Sequence, residues 1–259
     1  IRSIGSSDVI FSPGTVACVL TPDSPHYFAS GADGELDASS VTWRNVTLAG
    51  QKWRVATAPG VFSAARVDLG TQVLLRTVAG SGLDLPAGYR LLDLGCGWGP
   101  LALVMAKAAP SAEVWAVDVN RVALQLVALT AQAAGLDNLR VATPDQAAEL
   151  RPNVIWSNPP IRIGKAALHN LLTTWLGRLE PGGWADLVVQ RHLGADSLLA
   201  WLNHQGWPTS KLASAKGYRV LRVLSAADPL HSPTRTPLPN PLPNPLHSPT
   251  RTPPPSPRD

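Results

Sequence analysis

The chain has 259 residues, with 22 Lys and Arg against 18 Asp and Glu, a formal net charge of +4 and an apolar share of 45%. That length suits one large or two small domains with a substantial core, and no apolar run approaches the roughly 20 residues of a membrane-spanning helix. Two cysteines, Cys18 and Cys96, make neither a disulfide framework nor a zinc site, and the opening at Ile1 carries no charged-then-apolar leader, so no membrane partner and no secretory signal are expected.

Residues 1–25 mix Ser, Pro and Gly around a short apolar run, Val16 to Leu20, and suggest no defined element. Residues 26–84 read as strands and a helix that pack on the larger domain C-terminal to them. Val41–Leu48 and Gln51–Ala58 alternate apolar and polar residues on either side of Ala49-Gly50, the pattern of a hairpin. Thr71 is placed to cap a short helix from Gln72 to Val78, and Pro86-Ala87-Gly88 breaks the chain.

Residues 85–228 alternate strand and helix. Strands are expected at Arg90–Leu94, Glu113–Val119, Leu139–Thr143, Asn153–Ser157 and Trp184–Gln190. Between them lie helices from Pro100 to Ala109, with proline at the first position, from the cap Asn120 to Ala134 before Gly135, from Lys165 to Leu179, and from Asp196 to His204. Leu212–Leu224 reads as a terminal hairpin around Lys216-Gly217. The alternation implies an α/β fold with a doubly wound, mostly parallel, Rossmann-like sheet, to which the hairpin adds antiparallel edge strands. Residues 229–259 hold 12 of the 25 prolines and repeat Pro-Leu-His-Ser-Pro-Thr-Arg-Thr-Pro at 229–237 and 245–253. Such a tail is expected to stay disordered, sampling extended polyproline conformations. It carries three Arg and one Asp, so the body before it is only weakly basic, which neither demands nor excludes a phosphate-rich partner.

Two motifs carry chemistry. The first, Asp93-Leu94-Gly95-Cys96-Gly97-Trp98-Gly99, follows a strand and opens a helix, and its glycines allow a tight turn and close approach of a ligand to the backbone. Asp118 ends the next strand, 19 residues after Gly99, where a carboxylate accepts hydrogen bonds from ribose hydroxyls. Pro100 departs from a dinucleotide-binding turn, and Asp93 would repel a pyrophosphate but suits the ammonium of an amino-acid moiety. A bare strand-to-helix turn also fits the glycines alone; with both carboxylates the combination points to S-adenosylmethionine.

The second motif, Ser157-Asn158-Pro159-Pro160-Ile161, leaves the fourth strand at the carboxyl edge, where open sheets bind ligands. Two prolines force an extended exit, presenting the Asn158 side chain and the Pro159 carbonyl as adjacent acceptors. An exocyclic amine conjugated to a ring is a poor nucleophile; two acceptors on its N–H groups orient it and free its lone pair for attack. By itself the motif also fits a proline-stiffened loop with a local Asn cap.

These residues resemble the class I methyltransferases of the methyltransferase small domain family, in particular bacterial small-subunit ribosomal RNA guanine-N2 methyltransferases. The resemblance runs from His26-Tyr27-Phe28 to Leu224 and includes Ser157–Lys165, Pro181-Gly182-Gly183 and Ser214–Tyr218. It implies that Gly60–Ser63 with Asp68–Thr71, and Phe62 and Thr71 in particular, help enclose S-adenosylmethionine. It further implies that Asp93, Gly95, Gly97 and Gly99 hold the methionine end, Asp118 the ribose and Asp145 the adenine, with Asn158 bordering the cofactor. Asn158, Pro159 and Pro160 would form the catalytic motif, and Ile161, Arg162, Lys165, Lys216 and Tyr218 would face the substrate. The chain departs from relatives that carry a second, N-terminal methyltransferase domain, and it has Ile161 where amino-methyltransferases often carry a stacking aromatic.

The implied activity is methyl transfer to an exocyclic amino nitrogen, guanine N2 of ribosomal RNA or of the assembled small subunit, in the cytoplasm and without a metal; His192 and His204 lack metal-ligand spacing. Glutamine-N5 methylation of a protein uses the same Asn-Pro-Pro chemistry, and a non-catalytic module that binds S-adenosylmethionine or RNA is the alternative of a different class. A nucleotide-dependent oxidoreductase is opposed by Pro100 and Asp93. Cys96, Trp175 and Trp201 read as packing residues, with Trp98 either buried or bordering the cofactor.

Overall fold

The computed structural model describes residues 36–59, 61, 67–79 and 87–226. The expected boundaries at 25/26 and 84/85, Phe62, and the tail 229–259 lie outside them.

The first described strands form an antiparallel pair, β1 (Thr42–Leu48) and β2 (Gln51–Thr57), whose register runs from Thr42 opposite Thr57 to Leu48 opposite Gln51. Ala49 at φ +47° and Gly50 at φ +80° form the two-residue connection, in which both residues must adopt the left-handed region to follow the twist of the strands. This hairpin is a separate two-stranded sheet. It is tied to the body by Trp53 and Val55 in the core and by the Ala56 N–H, which donates to Thr130 Oγ1 at 3.0 Å.

Helix α1 (Leu69–Ala79) follows, then β3 (Arg90–Leu94), α2 (Pro100–Ala108), β4 (Glu113–Val117), α3 (Arg121–Ala133), β5 (Leu139–Ala142), β6 (Val154–Ser157), α4 (Lys165–Leu176), β7 (Trp184–Gln190), α5 (Ala195–His204), β8 (Thr209–Ala215) and β9 (Tyr218–Leu224). The seven strands of the main sheet are ordered β5-β4-β3-β6-β7-β9-β8. Strands β5 to β7 of that order are parallel, and β9 and β8 are antiparallel additions. The terminal hairpin therefore does not supply two edge strands: β9 lies between β7 and β8, and only β8 is an edge.

Alternation along the buried strands sends side chains to two cores. Leu91 and Val188 join α1, α2 and α3 on one face, whereas Leu92, Leu187 and Val189 join α4 and α5 on the other. Helix α1 starts three residues before the expected position, and Thr71 is not its cap. Asp68 fills that role, its Oδ2 accepting from the N–H groups of Gly70 at 2.8 Å and Thr71 at 3.3 Å. Asn120 caps α3 as expected, accepting from the Ala123 N–H at 3.1 Å. Strand β4 stops at Val117, two residues early, because the Val117 carbonyl accepts the N–H groups of Gly95 and Cys96 from the adjoining turn. Among the described residues no helix is long and apolar enough to cross a membrane.

An ion pair between a buried carboxylate and a half-buried arginine links β7 to the antiparallel addition. Asp186 in β7 is fully buried and accepts two hydrogen bonds at 2.8 Å from Arg222 in β9, with a third at 3.2 Å from Trp184 Nε1. Trp175 is buried in the second core, as expected. Trp201 is only half-buried and stacks on His169 with ring centroids 3.6 Å apart.

Candidate active site

The strand order reverses between β3 and β6, so the turns leaving these two neighbours diverge and open a cleft at their carboxyl ends. Both chemical motifs leave from there. The Asp93–Gly99 turn follows β3 and the Asn158-Pro159-Pro160 segment follows β6, and Ser157 Oγ joins them by donating to the Leu94 carbonyl at 2.7 Å. Asp68, Thr71, Asp93, Gly95, Gly97, Trp98 and Asn158 together line the cleft.

The glycines serve different needs. Gly95, Gly97 and Gly99 all have positive φ, at +72°, +53° and +82°. A Cβ on Gly99 would also lie 2.7 Å from Val127 Cγ2 of α3, so this glycine permits close helix packing, while a Cβ on Gly97 would point into open space.

The two carboxylates differ in exposure: Asp93 is buried and Asp118 half-buried. Asp93 is 1% exposed; one oxygen accepts the Ala102 N–H of α2 at 2.9 Å. Burial, and to a lesser degree the nearby Asp118 charge, raises its pKa to about 7 against the lowering effect of that hydrogen bond. Asp118 accepts from the N–H of Gly97 at 2.8 Å and of Asn120 at 2.9 Å, so it ties the glycine turn to the start of α3; burial raises its pKa as well. The buried Cys96 thiol is held neutral, its pKa pushed well up by burial and by the two carboxylates, which fits a packing role.

Asn158 donates its side-chain amide to Asp68 Oδ2 at 2.8 Å and to Thr71 Oγ1 at 3.2 Å. Its oxygen, which accepts no hydrogen bond within the described residues, is left to the cleft. Pro159 differs from expectation in one respect. Its carbonyl already accepts the Ile161 N–H at 2.8 Å, with Pro160 at φ −74°, ψ 78°, an inverse γ-turn that leaves one lone pair for a ligand.

The remaining expected residues fall in three places. Asp145 is exposed on the loop after β5, apart from the residues that line the cleft. Ile161, Arg162 and Lys165 border a second cavity of about 430 Å³, between the start of α4 and the start of α5. Lys216, at φ +49°, lies exposed on the β8–β9 turn, and Tyr218 follows it at the carboxyl end of β7, opposite Gln190. Tyr218 packs on the start of α1, where a Cβ added to Gly70 would lie 2.9 Å from Tyr218 Cε1 and 2.9 Å from Asp68 Oδ2. Burial and the Asp68 charge raise the Tyr218 pKa.

The sequence singled out the stretch Asp68–Thr71 but neither the Asp68 contact with Asn158 nor the Gly70 contact with Tyr218, because these partners lie some 90 to 150 residues away. The spacing of an acidic residue two before a glycine at a helix start was the available signal.

The cleft fits a ligand that carries an ammonium group. Its floor combines a carboxyl too dry to ionise readily with an open position at Gly97 that a side chain would fill.

The chain is 40% identical over 160 residues to the ribosomal RNA small subunit methyltransferase C of Hahella chejuensis, covering 58% of this chain and 45% of that one. It is 26% identical over 205 residues to the uncharacterized protein YbxB of Bacillus subtilis, covering 77% of this chain and 98% of that one. A solved T. thermophilus 16S rRNA N2 G1207 methyltransferase, in complex with AdoMet and guanosine, superposes with a TM-score of 0.61 at 27% identity, over 71% of this chain and 50% of that one. This chain thus spans about half the length of the named rRNA methyltransferases and nearly all of YbxB. The methyltransferase small domain family matches residues 52–222, from the second strand of the hairpin through both turns of the cleft to the last strand of the sheet, and the chain belongs to that family of S-adenosylmethionine-dependent methyltransferases.

Proposed function

We propose that the chain moves a methyl group from S-adenosylmethionine to an exocyclic amino nitrogen, guanine N2 of small-subunit ribosomal RNA, acting in the cytoplasm on the RNA or on the assembled subunit. The observation that carries this reading is the Asn158 amide, anchored through its nitrogen and open to the cleft through its oxygen.

The cofactor, when bound, supplies an electrophilic methyl group on a sulfonium centre. The protein's part is to hold and orient. Asp93 with Gly95, Gly97 and Gly99 receives the methionine end, Asp118 the ribose and Asp145 the adenine, while Thr71 helps enclose the site. Asn158 Oδ1 accepts one N–H of the amine and the remaining lone pair of the Pro159 carbonyl accepts the other, which aligns the nitrogen lone pair with the methyl group. Pro160 stiffens that presentation. Ile161, Arg162 and Lys165 on one side and Lys216 and Tyr218 on the other contact the nucleic acid. No step requires a metal or a thiolate.

The test is tritiated S-adenosylmethionine with total RNA, 30S subunits and a protein extract, followed by nucleoside analysis. Label in N2-methylguanosine is expected. Label in glutamine would move the substrate to protein, and no label in any fraction would favour a binding module. Asn158→Ala should lower kcat about 10²–10³-fold while cofactor affinity stays within about threefold.

A further inference from the structure

We propose that Asp68 is a positioning residue that decides which end of the Asn158 amide faces the reacting amine. The inference rests on the reading of Asn158 as an amine acceptor.

The two ends of an asparagine amide are nearly equal in shape, so only hydrogen bonding chooses between them. Here one choice is chemically closed. An ionised carboxylate only accepts, and Asp68 Oδ2 lies 2.8 Å from Asn158 Nδ2, with Thr71 Oγ1 at 3.2 Å completing the pair of acceptors for the NH2 group. Rotating the amide by half a turn would set oxygen against carboxylate and aim N–H donors at the donors of the substrate.

Asp68 is itself held. Its Oδ2 also accepts from the Gly70 N–H, and its backbone carbonyl accepts the Gln72 N–H of the first turn of α1. Gly70 is the residue that leaves room for this, since a side chain there would press on both Asp68 and Tyr218. A single carboxylate therefore caps α1 and locks an amide on the β6 exit, 90 residues later. Its negative charge also polarises the amide, making the Asn158 oxygen a better acceptor.

Capping and positioning separate by substitution. In Asp68→Ser the hydroxyl still caps the helix but is too short to reach Asn158. Thermal stability and cofactor affinity should hold, with kcat down by about 10–100-fold. In Asn158→Asp two carboxylates meet at about hydrogen-bond distance, and kcat should collapse. Adding Asp68→Asn restores a donor–acceptor pair with its sense reversed, and should recover at least about tenfold of kcat. A cap alone gives no reason for that rescue.

Side-chain amide NMR with 15N-asparagine reads the anchor without turnover. The Asn158 signals, assigned by their loss in Asn158→Ala, should show slow solvent exchange in the wild type and fast exchange in Asp68→Ser. If the Asn158 amide exchanges freely in the wild type, or if Asp68→Ser leaves kcat unchanged, or if the swapped pair stays as inactive as Asn158→Asp, the proposal is overturned. If no RNA, subunit or protein accepts methyl, the substrate reading fails while the amide signals still decide whether Asp68 sets the orientation. Should Asp68→Ser fail to fold, the swapped pair carries the decision.

Discussion

Binding of S-adenosylmethionine should release protons near neutral pH, with Asp93 as their source. Its carboxyl is 1% exposed, and burial raises its pKa from the ordinary 3.8 to about 7. At pH 7 about half of the ligand-free molecules therefore hold that proton. An ammonium placed beside the carboxyl favours the charged form and draws the pKa down, so the proton leaves. The expected release is about 0.5 proton per cofactor at pH 7, close to one at pH 6 and near zero at pH 9, with apparent affinity rising up to tenfold per pH unit below 7.

The same shift opposes folding. The native state binds the Asp93 proton more tightly than the unfolded chain does, so this group lowers stability as pH rises from about 4 to about 7, by up to about 4 kcal/mol, and no further above that. Asp93→Asn keeps an oxygen for the Ala102 N–H, so it should remove the Asp93 share of the release, weaken cofactor binding and raise the melting temperature at pH 8 relative to the wild type. Calorimetry in phosphate, PIPES and Tris, which differ in ionisation enthalpy, counts the protons. Asp118 adds to the total because burial raises its pKa too, so the difference between wild type and Asp93→Asn is the deciding quantity. Equal heats in the three buffers at pH 7, or the same release in Asp93→Asn, would refute the assignment of Asp93 to an ammonium.

Asp118→Ala removes the acceptor for the Gly97 and Asn120 N–H groups as well as the one proposed for the ribose, and should weaken cofactor binding by about 1–3 kcal/mol in calorimetry, with NADH showing no binding to either protein. Gly99→Ala combines φ +82° with a Cβ 2.7 Å from Val127 Cγ2, and should cost about 1–3 kcal/mol in urea unfolding, part of it recovered by Val127→Ala. Arg222→Ala leaves the fully buried Asp186 charge unpaired and should cost about 3–5 kcal/mol, reduced when Asp186→Asn is added. Gly70→Ala should displace Asp68 or Tyr218 and lower kcat more than cofactor affinity, as steady-state kinetics would show.

Features with local causes were legible along the chain. Pro100 after Gly99, the Asn120 cap, the two-residue turns at Ala49-Gly50 and Lys216-Gly217, and the alternation of strand and helix depend on neighbours within a few residues, and each stands where the pattern put it. The two chemical motifs were legible for the same reason, since each is one strand end and the turn that leaves it. Tertiary structure decided what depends on partners distant along the chain. Asp68 meets Asn158 only because the fold sets the start of α1 beside the β6 exit, and Asp186 meets Arg222 only because β9 pairs with β7. Burial acted in the same way on Asp93 and Asp118, whose raised pKa values come from the packing of α2, α3 and the glycine turn around them rather than from adjacent residues. Periodicity reports which way a side chain faces; only the closed fold sets which donor meets which acceptor, and how much water remains between them.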